Sequence, residues 1–168
     1  MRKKLFTAAV AFVLSALTSN AFAFPTWQEL RNEIINYYKT IDTSKQWCID
    51  SDGDLEITYT SSSGSERKAY IMMIESEQAI PDMPPAVCYF ESTTPAKTNA
   101  KKMTKCADAI NWALPGVGQV YYKNDAICVA SSIYAYSAPY VAMQITQLGT
   151  FSSMAIDLAE KCTDYVTD

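Results

Sequence analysis

The run Asp50-Ser51-Asp52-Gly53-Asp54 places three carboxylates at alternate positions. Acids at positions one, three and five open a calcium loop, which then needs glycine at six and glutamate at twelve. Here glycine stands fourth and Ser61 twelfth, so a turn between two strands is expected. Histidine is absent from the 168 residues, which removes Ser-His-Asp, Cys-His and His-metal arrangements. The glycines of Leu114-Pro115-Gly116-Val117-Gly118 suggest a phosphate loop, but the run follows a helical pattern and no Lys-Ser/Thr comes after it. Ser65-Glu66-Arg67-Lys68 has Ser-x-x-Lys spacing on an expected exposed hairpin, where nothing would desolvate the lysine. No catalytic residue, cofactor site or metal site is expected, and the protein reads as non-enzymatic.

The remaining reactive side chains are Cys48, Cys88, Cys106, Cys128 and Cys162. No C-x-x-C occurs, and without histidine a zinc site would need cysteines that stand far apart in sequence. Their meaning depends on compartment. Arg2, Lys3 and Lys4 precede the apolar Leu5–Leu17, and Ala21-Phe22-Ala23 is an A-x-A cleavage site. This is the pattern of a secretory signal peptide cut after Ala23. A periplasmic or secreted protein is therefore expected, with residues 24–168 forming one domain. Export makes disulfides the expected state of the cysteines, and the odd count leaves one thiol over, with the pairing open. Removing Arg2, Lys3 and Lys4 leaves 11 basic residues against 18 acidic, a net charge of −7. That excess disfavours nucleic acid and anionic lipid as partners. No later stretch is apolar enough to span a bilayer, so no membrane insertion is expected after signal cleavage.

Hydrophobic spacing orders the elements that would carry any site. Thr26-Trp27-Gln28-Glu29 is a capping box opening a first helix to Ile41, with Leu30, Ile34, Tyr38 and Ile41 on one face. Period-two alternation follows at Trp47 and Ile49, then at Leu55, Ile57 and Tyr59. Arg67–Glu75 is nearly continuously apolar, which predicts a strand covered on both faces or held inside an oligomer. Ala86–Glu91 is the next strand. Thr94-Pro95 predicts the start of a middle helix, on which Met103, Cys106, Ala107, Ile110 and Leu114 share a face until Pro115-Gly116. Asn124-Asp125 predicts a two-residue hairpin that pairs Tyr122 with Ile127 and Val120 with Val129, leaving Tyr121 and Cys128 on the opposite face. Ser137-Ala138-Pro139 opens a last helix with Val141, Ile145, Leu148, Phe151, Ala155, Leu158, Cys162 and Tyr165 as its stripe. Gly149 inside it predicts a kink or a close approach. The order is α, three or four strands, α, hairpin, α. This gives an α+β fold, an antiparallel sheet with helices packed on it, α-β-β-β-α-β-β-α in its shorter form.

That order and the segment Ile110–Ser132, INWALPGVGQVYYKNDAICVASS, resemble the YbjN-like proteins, which share the fold of class I type III secretion chaperones. Asn111, Gly118, Tyr121-Tyr122, Asp125 and Ile127-Cys128-Val129 match the family's helix end, glycine, strand, acidic turn and second strand. The resemblance implies a binding module. The chaperones are homodimers that hold extended client segments, and YbjN-like members are regulators.

Tyrosine is favoured where one end of a side chain is buried and the other wet. Tyr121, Tyr134, Tyr136 and Tyr140 cluster near the hairpin exit, and Lys97, Lys101, Lys102 and Lys105 give the middle helix a basic face. The expected contact surface is the sheet with the middle helix, with Tyr121, Tyr134, Tyr136, Lys101 and Lys105 as its candidate residues. The expected partner is another protein, or a second copy in a homodimer, in a regulatory, chaperone-like or immunity setting. The competing expectation is a small-ligand carrier or acid-dependent enzyme with a tyrosine–carboxylate pocket.

Overall fold

The computed structural model describes residues 24–42, 44–74, 83–95, 99–116 and 118–165. The expected signal peptide and Lys97 lie outside them. The chain forms α1 (Trp27–Ile41), β1 (Gln46–Ile49), β2 (Leu55–Thr60), β3 (Glu66–Ile74), β4 (Ala86–Thr93), α2 (Ala100–Ala113), β5 (Gln119–Lys123), β6 (Ala126–Tyr134) and α3 (Ala138–Tyr165). The strands make one antiparallel sheet in the order β1-β2-β3-β4-β6-β5. The α+β expectation holds, and the first strand block contains four strands.

Local chemistry places each element. Thr26 caps α1 through the expected box, its hydroxyl accepting from the Glu29 amide while the Glu29 carboxylate accepts from Thr26 N at 2.7 Å. Leu30, Ile34 and Tyr38 of that helix are buried. The Asp50–Asp54 run is a β1–β2 turn. Asp50 Oδ1 accepts from the amides of Asp52 and Asp54, so that carboxylate oxygen serves the backbone. Asn124 and Asp125 have φ of 50° and 60°, and the hairpin pairs Val120 with Val129 and Tyr122 with Ile127 as expected.

The middle helix begins later than Thr94-Pro95. Asn99 is its N-cap, accepting from the Lys102 amide at 2.9 Å, and Pro95 is buried just beyond the end of β4. Asparagine satisfies the first-turn amide directly, so the proline is not needed as the first helical residue. At the other end, Asn111 Nδ2 donates to Val120 O at 2.6 Å and Asn111 Oδ1 accepts from Val120 N at 2.9 Å. One side chain thus satisfies both outward backbone groups of Val120 and closes the edge of β5. Gly118 must be glycine. Its φ is 113°, and a Cβ there would lie 2.3 Å from Ala130 O.

All three helices lie on one face of the sheet. Leu55, Ile57, Ala69, Ile71, Val87 and Tyr89 point from β2, β3 and β4 into a core with α1 and the start of α3. Val120, Ile127 and Val129 meet Met103, Cys106 and Ile110 of α2, and Ala155, Ile156 and Ala159 of α3, in a second core. Of the two β3 expectations, cover on both faces within the chain is corrected, and cover inside an oligomer is the one left. Arg67, Ala69 and Ile71 are buried, whereas Tyr70 and Met72 are half-buried and Ile74 exposed on the other side. The apolar run is covered on one face only.

The stripe on α3 also differs from the expected one. Phe151 is 49% exposed and Leu158 is exposed too, while Gly149, Ser152, Ile156 and Ala159 are buried. A straight helix advances about 3.6 residues per turn, the spacing of Val141, Ile145, Gly149, Ser152, Ile156 and Ala159. The expected row ran near 3.5, a coiled-coil spacing that drifts off the face of a straight helix. Gly149 marks a close approach, as a Cβ there would lie 2.8 Å from Tyr89 Cε2.

Among the described residues one disulfide forms, Cys106–Cys162, joining α2 to α3 with Cα atoms 5.7 Å apart. Cys48, Cys88 and Cys128 are free thiols, so the expected second bridge is absent there. Register explains this. Cys88 pairs with Ser132 and Cys128 with Ser92, which puts the two cysteines four residues apart along the strands. That is about 13 Å, well beyond the reach of a disulfide.

Candidate functional site

The second face of the sheet carries no helix among the described residues. Strand parity decides what it displays, because residues two apart share a side. Tyr70 and Met72 of β3, Cys88 and Phe90 of β4, Cys128 and Ala130 of β6, and Tyr121 of β5 all point there. Tyr70, Met72, Phe90, Ala130 and Tyr121 are half-buried, and Ile74 and Tyr134 at one end are exposed. Cys88 and Cys128 are buried beneath their neighbours, and burial pushes both thiols up in pKa. These are packing cysteines, poorly suited to nucleophilic work.

Among the described strand residues of this face, Glu56 and Glu66 balance Lys68 and Lys123. Asp50 of the β1–β2 turn stands at its edge, near Glu56 and Tyr70. Lys68 Nζ lies 2.7 Å from Glu56 Oε1, which lowers the Glu56 carboxyl and raises the Lys68 ammonium in pKa. A recess of about 340 Å³ opens beside the β5–β6 hairpin, bounded by Phe90, Ser92, Tyr121, Lys123, Ala126 and Cys128.

The expected contact residues separate between layers. Tyr121 and Tyr134 share the open face, about 20 Å apart by strand rise, and Tyr136 contacts Tyr134 edge-on with ring centroids 6.4 Å apart. Lys101 and Lys105 lie on the outer surface of α2, in the helical layer, where Trp112 is 88% exposed. The sheet face and the middle helix are thus on opposite sides of the molecule.

A tyrosine–carboxylate cluster lies on the covered side. Glu91 sits toward the end of β4, one of the two central strands, between Ala69 and Val129, at 0% exposure. The Tyr59 hydroxyl donates to Glu91 Oε1, and the Tyr89 hydroxyl donates to Oε2 at 3.2 Å. Burial raises the Glu91 pKa, against the opposing pull of Tyr59, Arg67 and Tyr89. Burial likewise raises the pKa of both tyrosines. Arg67, opposite Tyr59, reaches across to Asp157 and Glu160 of α3 at 2.7 Å each. Glu91 is fully buried, and the recess walled by Tyr59 and Arg67 does not include it. Its hydrogen bonds tie β2 and β4 together beneath α3.

Sequence reasoning passed over Glu91, Tyr59 and Arg67 as a unit. The available signal was parity: Leu55, Ile57 and Tyr59 alternate inward, and Val87, Tyr89 and Glu91 do the same. A carboxylate at an inward position needs hydroxyl or cationic partners at inward positions nearby.

No protein-family model matches the chain, and neither a curated protein nor a solved structure is similar to it.

Proposed function

We propose that the chain is a non-catalytic protein-binding module whose contact surface is the open face of the sheet, and that this face receives a second copy of the chain. The observation that carries the proposal is an apolar, aromatic, charge-balanced face with no described helix on it. An antiparallel sheet can leave one face to water, but contiguous Tyr70, Met72, Phe90 and Tyr121 on that face mark an interaction surface. Strands of four to nine residues in a six-stranded sheet give a face of roughly 500–900 Å². Two such faces together exceed the roughly 1,000 Å² that a specific interface needs.

Charge favours a like partner at this face. Residues 24–168 carry a net −7, so two copies repel except where the local sum is zero. Shape adds a pairing. In a two-fold pair with facing sheets and reversed strands, the Tyr134 end of one copy lies over the Tyr121 recess of the other, and the contact occurs twice. The recess offers Phe90 and Tyr121 to the ring and Ser92, Lys123 and Asn124 to the hydroxyl, and a tyrosine so seated is a typical anchor of a protein interface. The resemblance to YbjN-like proteins and dimeric secretion chaperones is in keeping with this reading. Lys101, Lys105 and Trp112 would stay on the outside of the dimer as a surface for a further protein.

Phe90→Glu places a charge at the centre of the face. Chemical crosslinking should convert the wild-type protein to dimer and leave this variant monomeric, with an unchanged circular dichroism spectrum. Equal dimer yield from Phe90→Glu and from wild type would rule out this face.

A further inference from the structure

The two edges of the sheet are finished differently. At β5, Asn111 occupies the N–H and C=O of Val120. At β1 the phase of the ladder shows what is left open. Asp50 N donates to Asp54 O at 3.0 Å, one step beyond the Ile49–Leu55 pair. Hydrogen-bonded and non-hydrogen-bonded pairs alternate along an antiparallel ladder. Gln46 and Cys48 therefore bond to β2, and Trp47 and Ile49 turn their N–H and C=O groups outward. No hydrogen bond among the described residues takes those four groups. Proteins usually blunt such an edge with charge, proline or a bulge. The strand Gln46-Trp47-Cys48-Ile49 has no charge and no proline, its pairing with β2 runs without a bulge, and Ile49 is 53% exposed.

The open edge is self-complementary. When two copies lie antiparallel along it, centred on Cys48, Trp47 of one chain faces the partner's Ile49, and the pair repeats across the two-fold axis. Both residues present their backbone groups to that edge, so the two pairs exchange four hydrogen bonds. An aromatic opposite a β-branched side chain is a favourable cross-strand pair. Cys48, an exposed free thiol, meets the partner's Cys48 on the axis. Theirs is a non-hydrogen-bonded position, with Cα atoms about 4.5 Å apart, inside the roughly 4.4–6.8 Å that a disulfide spans. Residues 24–168 carry a net −7, and this strand is uncharged, so like copies can meet here. The neighbouring carboxylate, Glu56, is held by Lys68 at 2.7 Å.

We infer that β1 pairs with β1 of a second copy, continuing the sheet across its edge, and that a disulfide between Cys48 and the partner's Cys48 locks the pair. A four-residue strand falls short of the roughly 1,000 Å² that a specific interface needs, so the covalent bond is what makes the pairing last. The step is thiol–disulfide exchange with a small disulfide of the glutathione class. One Cys48 thiolate displaces a small thiol and forms a mixed disulfide, and the partner's Cys48 thiolate displaces the second. Two protein thiols and one small disulfide become one protein disulfide and two small thiols, which carry away both protons. Without such a donor Cys48 stays a thiol and only the face pairing proposed above persists. The β1 edge and the open face are different surfaces, so either proposal can fail alone.

The test equilibrates the purified protein with oxidised and reduced glutathione and reads the products by non-reducing gel and peptide mass spectrometry. Wild type should form a linked dimer whose crosslink joins Cys48 to the partner's Cys48, and Phe90→Glu should form it equally. Ile49→Pro removes one outward N–H per chain and no bond to β2. With two interchain hydrogen bonds lost, its ratio of linked dimer to glutathione-capped Cys48 should fall at least about tenfold. Ile49→Val keeps the N–H and should link as wild type does. Hydrogen exchange carries the same test should Ile49→Pro not fold. The Trp47 and Ile49 amides should exchange at least about tenfold more slowly in the linked protein than in the reduced one. Glutathione-capped Cys48 without linked dimer, equal linking by Ile49→Pro, loss of linking in Phe90→Glu, or unprotected Trp47 and Ile49 amides in the linked dimer would overturn the inference.

Discussion

Glu91 shows how one buried carboxyl sets a pH dependence. Its folded pKa is raised by burial above the ordinary 4.5. Below 4.5 the folded and unfolded forms are both protonated and the group has no effect. As pH rises from there through the raised folded value, the unfolded chain loses its proton first and stability falls, levelling off above that window. Glu29, Asp42 and Glu56 have lowered pKa values and act in the opposite sense, so the comparison must be made against a variant. Glu91→Gln removes the titration and keeps one acceptor oxygen for a tyrosine hydroxyl, its NH2 group donating to the oxygen of the other. Urea unfolding from pH 4 to 8 should show wild type losing stability relative to Glu91→Gln as pH increases. Parallel curves for the two proteins would contradict this assignment.

The elements were more legible in the sequence than their faces. The capping box, the Asn124-Asp125 hairpin and the register of Val120 and Tyr122 follow from local chemistry, which acts within a few residues. The start of α2 was misplaced because Thr94-Pro95 and Asn99 both carry start signals, and only packing at the end of β4 decides between them. The row on α3 was misplaced because large residues outweigh small ones in a periodicity reading. Gly149, Ser152 and Ala159 are buried in spite of their size, and at Gly149 smallness lets the helix approach Tyr89. Gly149→Ala should therefore destabilise by about 1–3 kcal/mol through overpacking, despite a helix-propensity gain of about 1 kcal/mol. Thermal unfolding of the variant checks this, and a raised melting temperature would show that Tyr89 yields freely.

The α2–α3 bridge belongs to the same scale. Cys106 and Cys162 are 56 residues apart, so opening the bridge by Cys106→Ser should cost about 4 kcal/mol on chain-entropy grounds. Guanidinium unfolding with and without reductant measures it. The wild-type midpoint should fall on reduction, and the Cys106→Ser midpoint should not.

At the scale of the whole molecule, the chain builds two layers, three helices on one face of a six-stranded antiparallel sheet. Helices and disulfide lie on one side, and the other side is a sheet face with tyrosine, methionine and phenylalanine at its centre and polar side chains toward β1, β2 and β5. Half of this was readable in advance. The hairpin pattern placed Tyr121 and Cys128 away from the core, whereas β3 read as covered on both faces or held inside an oligomer, since a run of apolar residues cannot say which partner covers it. Sedimentation velocity on the purified wild-type protein tests the central claim most directly. A single dimeric species across about 1–100 μM, dissociating in Phe90→Glu, is the predicted result. A monomer throughout that range would contradict it.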